Sequence, residues 1–172
     1  TPAIEARLVK ALGKMTQSEL DLLDDHVLVL GYGDLTEAVI QELGGKASFL
    51  VVLQDSDAAQ RLSERGIDTL IGDTSDEETL RRVHVEEARA VVAATNDDAA
   101  DALAILTVRH LAPDVHIVAA ATHRENVDKL RRAGADTVIS PASIGGHLLV
   151  ESALGGADVD TEAVADRLLD EI

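Results

Sequence analysis

The chain is 172 residues long, enough for one domain with an ample core and no need of disulfide or metal staples. It holds no cysteine, which excludes disulfides, thiolate metal sites and a cysteine nucleophile. Its 15 basic and 32 acidic residues give a formal net charge of −17, which argues against nucleic-acid partners and against direct binding to an anionic membrane surface.

From the N-terminus, residues 1–24 read as a polar, helix-prone lead-in that looks unlike core. Pro2 suits a first helical turn, Gly13 interrupts it, and Thr16-Gln17-Ser18-Glu19 marks a second helix start. His26–Leu30 is a short buried strand that runs into Gly31-Tyr32-Gly33, and an amphipathic helix follows from Asp34 to Leu43. Ser48–Leu53 is a second buried strand, and Asp57–Arg65 a helix ended by Gly66. Ile67–Ile71 is a third strand, followed by a turn and short helix over Asp73–Val83, capped by Ser75 or Asp76. Ala88–Ala94 is a fourth strand, and Asp97–Leu111 a long helix capped by Asn96 or Asp97 and stopped by Pro113. Val115–Ala121 is a fifth strand, Glu125–Ala133 a helix closed by Gly134, and Thr137–Ser140 a sixth strand. Pro141 opens a last apolar helix to Leu154, and Gly155-Gly156 separates an acidic amphipathic tail, Val159–Ile172.

Apolar strands alternating with helices predict a parallel sheet covered on both faces. Six of them fit a Rossmann-like, doubly wound α/β domain with strand order 3-2-1-4-5-6 and right-handed crossovers. The expected organisation is a lead-in over 1–24, the Rossmann-like lobe over 25–140, and a crossover helix with its tail over 141–172. The apolar runs are all far shorter than the roughly 20 residues that span a bilayer, and no signal-peptide pattern is present. The acidic excess reads as a salt-adapted, halophilic surface. Such a charge self-repels in dilute buffer, whereas molar salt screens it within about 3 Å, so dialysis into low salt is expected to unfold the chain.

The loop Gly31-Tyr32-Gly33-Asp34-Leu35-Thr36 follows a strand and opens a helix, the context a dinucleotide-binding glycine motif requires. Gly31 allows the tight turn, and Gly33 lets a phosphate approach the helix N-terminus, where free N–H groups favour an anion. Gly33→Val is therefore expected to block a nucleotide sterically. Thr36 replaces the motif's third glycine, which predicts a helix set farther from the sheet. Asp34 adds a negative charge with no lysine nearby. The alternative is that both glycines serve only a tight strand-to-helix turn.

At the end of the second strand, Gln54 takes the position of the acidic ribose-binding residue and Asp55 follows it. Asp55 reads equally as a helix-start residue. Gly72-Asp73-Thr74 after the third strand and Thr95-Asn96 after the fourth face the crevice where open α/β sheets bind ligands. No metal-ligand spacing, GxSxG elbow or HExxH is present, so neither a metal nor a catalytic residue is assigned. The histidines read as surface or strand-edge residues, with His123 placed on the cleft side after the fifth strand.

The segments GYGDLTEAVIQEL, FLVVL, IDTLIGDTSDEETLRRVHVEEARAVVAATNDDAADALAILTVR and RENVDKLRRAGADTVISPASIGGHLL together resemble the N-terminal lobe of an RCK domain, also called the TrkA N-terminal domain. The resemblance covers residues 26–154. It implies a non-enzymatic, cytoplasmic ligand sensor at the inner face of the membrane that regulates a potassium channel or transporter. It further implies a homodimer, in some relatives an octameric ring, whose rearrangement moves a gate. The helix after Pro141, with Ile144, Leu148, Leu149 and Val150 beside Gly145 and Gly146, resembles the family's crossover helix and would suit a dimer seam, the alternative being that it packs on its own sheet. The ligand expected is a nucleotide: NAD or NADH, or ATP, ADP or AMP. Calcium-gated relatives carry carboxylates where this chain has Ala120, Ala121 and Thr122, which argues against a divalent cation there. Two other readings stand beside this one: a fragment of an NAD-dependent oxidoreductase, and a ligand-free module that only assembles a gating ring.

Overall fold

The computed structural model describes residues 15–155 and 160–170. The expectations resting on Pro2 and Gly13 lie outside them. The chain opens with α1 (Gln17–Leu20), β1 (Val27–Leu30), α2 (Asp34–Leu43), β2 (Phe49–Leu53), α3 (Ser56–Glu64) and β3 (Thr69–Ile71). It continues through α4 (Glu77–Arg82), a 3-10 turn at Val85–Glu87, β4 (Ala90–Ala93), α5 (Asp98–Leu111) and β5 (His116–Ala120). A second 3-10 turn at Arg124–Asn126 leads to α6 (Val127–Ala133), β6 (Thr137–Ile139), α7 (Pro141–Gly155) and α8 (Thr161–Asp170).

The six strands form one parallel sheet in the order β3-β2-β1-β4-β5-β6, the doubly wound arrangement expected. β1 is central: Leu28 lies opposite Leu50 of β2 and Val91 of β4. Side chains alternate across the sheet and feed two apolar layers. On one face Val27, Val29 and Val51 meet Ile40 of α2 and Ala58, Ala59 and Leu62 of α3. On the other, Leu28, Leu50 and Val91 meet Leu80 of α4, Ile105 and Val108 of α5 and Leu130 of α6. Because β1 leads outward to β2 and the chain returns on the far side as β4, a crevice opens at the C-terminal ends of these two strands.

One expectation is corrected. The lead-in is partly core: Leu20 is completely buried, and Met15 and Leu23 pack against the same cluster. Helix α1 is held in register by reciprocal capping. The Thr16 hydroxyl accepts the Glu19 N–H at 3.2 Å, and the Glu19 carboxylate accepts the Thr16 N–H at 3.3 Å. His26 is buried at the entrance to β1, as its place in the expected strand implies, with Nε2 2.7 Å from the Val83 carbonyl oxygen. That partner lies far along the chain, so no local pattern announces it.

The other end of the chain behaves differently. Helix α7 is rich in apolar residues yet buries none of them; Leu149 and Leu154 are 73% and 85% exposed. Cβ atoms added at Gly145 or Gly146 would meet nothing within 4 Å. Helix α8 packs against α7, and its Val164 is buried. No helix of the described residues is long and apolar enough to cross a membrane.

Candidate functional site

The glycine loop is built by continuing β1 one residue past its ladder. The Gly31 N–H donates to the Val52 carbonyl at 2.7 Å, and the backbone then turns at a φ of +88°, a conformation that favours glycine. A Cβ at Gly31 would overlap Cγ2 of Thr95, so the loops after β1 and β4 touch at this residue. Gly33 is extended, and a Cβ there would lie 3.5 Å from the Thr95 carbonyl oxygen and 3.6 Å from Asn96 Nδ2. The fold itself leaves room for a Cβ at Gly33, whereas a ligand lying on the loop would not.

Thr36 is fully buried, and its hydroxyl accepts the Gly33 N–H at 2.5 Å and donates to the Gly33 carbonyl at 2.9 Å. It thus locks the loop from within in place of the motif's third glycine.

Cavities open on both sides of this loop. One, of about 300 Å³, is lined by Gly31, Tyr32, Leu53, Gln54, Asp55, Ala58, Thr74, Thr95, Asp97 and Ala100. The other, of about 410 Å³, is lined by Asp34, Leu35, Ala38, Asn96, Ala120, Ala121, Thr122, Pro141 and Ala142. The sequence-derived residues divide accordingly: Gly31, Tyr32, Gln54, Asp55, Thr74 and Thr95 gather in the first, and Asp34, Leu35 and Asn96 in the second. Gly33 lies between them, and Thr36 beneath.

Gly72 and Asp73 line neither cavity. A Cβ at Gly72 would come 2.8 Å from Cγ2 of Thr79. The Asp73 carboxylate accepts the Ser75 N–H and hydroxyl, each at 2.8 Å; these bonds and the Gln54 amide hold its pKa below the ordinary value. Asp55 does both things that its position allows. One carboxylate oxygen accepts the Asp57 and Ala58 N–H groups and caps α3, while the residue also lines the first cavity. The caps of α4 and α5 are Asp76 and Asp97.

Three features of the site escaped the sequence. The Tyr32 hydroxyl donates to Glu37 at 2.7 Å, and Arg65 grips the same carboxylate at 2.6 and 3.0 Å. The Arg65 and Tyr32 bonds bring Glu37 down to about 2, and the Glu37 bond raises the Tyr32 phenol. Arg65 is 28 residues away, so sequence spacing cannot reveal the clamp. Second, Asp98 accepts the N–H groups of Thr122 and His123 and the Asn126 amide, tying the loop after β5 to the start of α5. Burial pushes its pKa up, but these donors together hold it below its ordinary value. Third, Asp101 is 1% exposed and accepts both the N–H and the hydroxyl of Thr95, at 3.1 and 2.8 Å. Burial pushes it up to about 6 against the Thr95 bonds. A signal for Asp101 existed: it stands in the helical stripe of Ala104, Ile105 and Val108 that faces the core.

Chemically, the crevice offers the N-terminus of α2, hydroxyl and amide groups, and apolar walls, with no Lys or Arg lining either cavity. That set can hold an adenosine-sized group and orient a phosphate by backbone donors. Among the described residues no group of His, Asp and Glu is arranged to hold a metal ion.

Comparison with known proteins agrees with this geometry. Residues 27–141 match the TrkA-N domain family. The probable potassium channel protein 2 of Methanocaldococcus jannaschii is 30% identical over 142 residues, covering 80% of this chain and 41% of that protein. The GsuK channel bound to NAD superposes with a TM-score of 0.68 at 30% identity, over 74% of this chain and 24% of that one. GsuK bound to ADP gives 0.64 at 30% identity, over 70% of this chain and 32% of that one. The chain thus spans less than half the length of these relatives. With the family match spanning both β1 and the start of α7, the chain belongs to the TrkA-N family, the RCK lobe that its motifs resemble.

Proposed function

We propose that this domain is a regulatory nucleotide sensor that controls potassium transport through a channel or transporter, and that it has no catalytic activity. The observation that carries the reading is the cavity of about 300 Å³ at the β1–β4 crevice, where the glycine loop, the end of β2 and the loop after β4 converge. The adenosine part would lie against Tyr32, Gln54 and Thr74, with the ribose diol near Gln54 and Asp55. The phosphates would cross Gly33 at the N-terminus of α2 toward the second cavity. Relatives support the ligand class: GsuK is described bound to NAD and to ADP at 30% identity. Without a lining cation, the phosphates would rely on backbone N–H groups and on screening by salt.

The second element is the unburied apolar face of α7. It would seat a second copy of the chain, and such dimers could assemble further into a ring beneath a membrane partner, on the cytoplasmic side. Ligand binding can move that partner only as far as the nucleotide prefers one arrangement of the subunits over another.

Isothermal calorimetry in molar KCl tests the reading. Saturable binding of NAD or ADP to the wild type, lost in Gly33→Val with an unchanged thermal melt, supports it. Equal binding by both proteins moves the ligand off the loop, and no binding of either nucleotide removes the sensor reading.

A further inference from the structure

Asp101 is the one buried acidic side chain among the described residues, and it sits behind the wall of the first cavity. Its two oxygens each accept from Thr95: Oδ2 from the N–H at 3.1 Å, Oδ1 from the hydroxyl at 2.8 Å. The Thr95 oxygen in turn accepts the Asp97 N–H at 3.2 Å. A hydroxyl has one proton and two lone pairs. While Asp101 is ionised, that proton is turned inward, away from the cavity, and the cavity meets only lone pairs. A phosphate or ribose oxygen arriving at Thr95 would then find no donor there, and behind it a buried negative charge.

A proton on Asp101 Oδ1 reverses the bond. The carboxyl O–H now donates to Thr95 Oγ1, Oδ2 still accepts the Thr95 N–H, and Oγ1 receives two donors. The Thr95 hydroxyl proton is then released to turn, either to the Asp97 carbonyl, a long 3.4 Å away, or to a ligand oxygen in the cavity. Every polar atom stays satisfied, so the change needs no backbone movement.

We propose that Asp101 is a proton-linked positioning residue: nucleotide binding at Thr95 takes up one proton from solvent at Asp101, which turns the Thr95 hydroxyl from a closed donor into a donor toward the ligand. This rests on the nucleotide reading given above. Burial already holds the Asp101 carboxyl up to about 6, which places the switch within reach of neutral pH. The charged groups that act on it are Asp97 and Asp98, both at the start of its own helix, and both favour the protonated form. The neighbouring elements bury uncharged side chains: Thr79 and Leu80 from α4, Val85 from the 3-10 turn, Leu130 from α6. The loop after β5 engages Asp98 rather than Asp101, through Thr122, Asn126 and the backbone N–H of His123.

The test is calorimetry with NAD between pH 5 and 8 in molar KCl, since neither the pyrophosphate nor the adenine of NAD titrates in that range. For the wild type, affinity is expected to fall about tenfold per pH unit above pH 6. At pH 7, buffers of different ionisation enthalpy should report uptake approaching one proton per site. Asp101→Asn presents the protonated pattern permanently: its carbonyl accepts the Thr95 N–H and its amide donates to Thr95 Oγ1. This variant should bind with the wild type's low-pH affinity at every pH and take up no proton. Thr95→Val, which lacks the hydroxyl, should bind weakly without pH dependence. Wild-type binding that is flat with pH, or pH dependence that persists in Asp101→Asn, overturns the inference while leaving the nucleotide reading standing. ADP serves as a second probe, with the ratio of wild-type to Asp101→Asn affinity cancelling its own titration. No binding of either nucleotide at any pH overturns both.

Discussion

Gly31 lies directly beneath Thr95: a Cβ on the glycine would overlap the threonine's Cγ2 and sit 3.1 Å from its Cβ. The two residues join the loops after β1 and β4, which is where the crevice opens. Gly31→Ala adds two costs. The left-handed backbone opposes any Cβ by roughly 1–2 kcal/mol, and overpacking against Thr95 adds roughly 1–3 kcal/mol. Thr95→Ser removes the opposing methyl and keeps the hydroxyl. Denaturant unfolding should therefore show Gly31→Ala strongly destabilised and Gly31→Ala/Thr95→Ser recovered in part, with the backbone cost and the 3.1 Å contact to the residue-95 Cβ remaining. A double variant no better than the single one would mean that the contact is not the source of the strain.

Leu20 binds the lead-in to the body. It is completely buried in the cluster that also holds Leu28, Leu80 and Val85. Leu20→Ala should cost about 2–5 kcal/mol, whereas the same change at Leu22, 83% exposed, should cost little. Urea midpoints distinguish the two. Equal effects would return the lead-in to the passive linker that its polar composition suggests.

His26 sets an acid limb on stability. The imidazole donates from Nε2 to the Val83 carbonyl and leaves Nδ1 buried with no partner. A second proton would go to Nδ1 with nothing to accept its hydrogen bond, so burial lowers the pKa from 6.5. The unfolded chain then binds more protons than the folded one, and stability falls as pH drops below about 6.5. Asp101 acts in the opposite sense: its folded pKa is raised to about 6, so its contribution improves as pH falls through 6 toward 3.8. His26→Gln should lose the acid limb and become relatively more stable at pH 5 than at pH 7.5. A wild-type-like pH profile in that variant would contradict the assignment.

Much of the architecture was legible because a parallel sheet writes itself as contiguous apolar runs. Leu28, Leu50 and Val91 sit in such runs, and the resulting strand order is the one observed. The ends of the strands were less legible. Val115 and Ala121 are buried but lie just outside β5, although the Ala121 N–H still donates to the Ile139 carbonyl of β6 at 2.8 Å. Turn-forming residues at the C-terminal ends of strands located most of the crevice. Hidden from view were the partnerships across long stretches of chain: His26 with Val83, Glu37 with Arg65, Asp98 with Thr122. Nor could the sequence show that Asp73 closes its own turn through Ser75, since such an aspartate looks the same there as one without a local partner.

Tyr32 supplies a built-in reporter. It is the only tyrosine, and the chain has no tryptophan. Its hydroxyl donates to the Glu37 carboxylate, an arrangement that quenches phenol emission. Glu37→Gln should brighten the protein. In the wild type the quenching should persist on acidification until pH approaches about 2, because the Arg65 and Tyr32 bonds keep Glu37 ionised far below 4.5. Brightening near pH 4.5 would mean that the Arg65 grip is absent in solution.

The same reporter provides the most direct test of a nucleotide seated on the glycine loop. Tyr32 lines the first cavity, so NAD titrated into the protein in molar KCl, with emission corrected for adenine absorption, should change its fluorescence saturably. The midpoint should match that from calorimetry, and Gly33→Val should abolish both signals. Calorimetric saturation with no change at Tyr32, or an unchanged response in Gly33→Val, would contradict a ligand in this crevice.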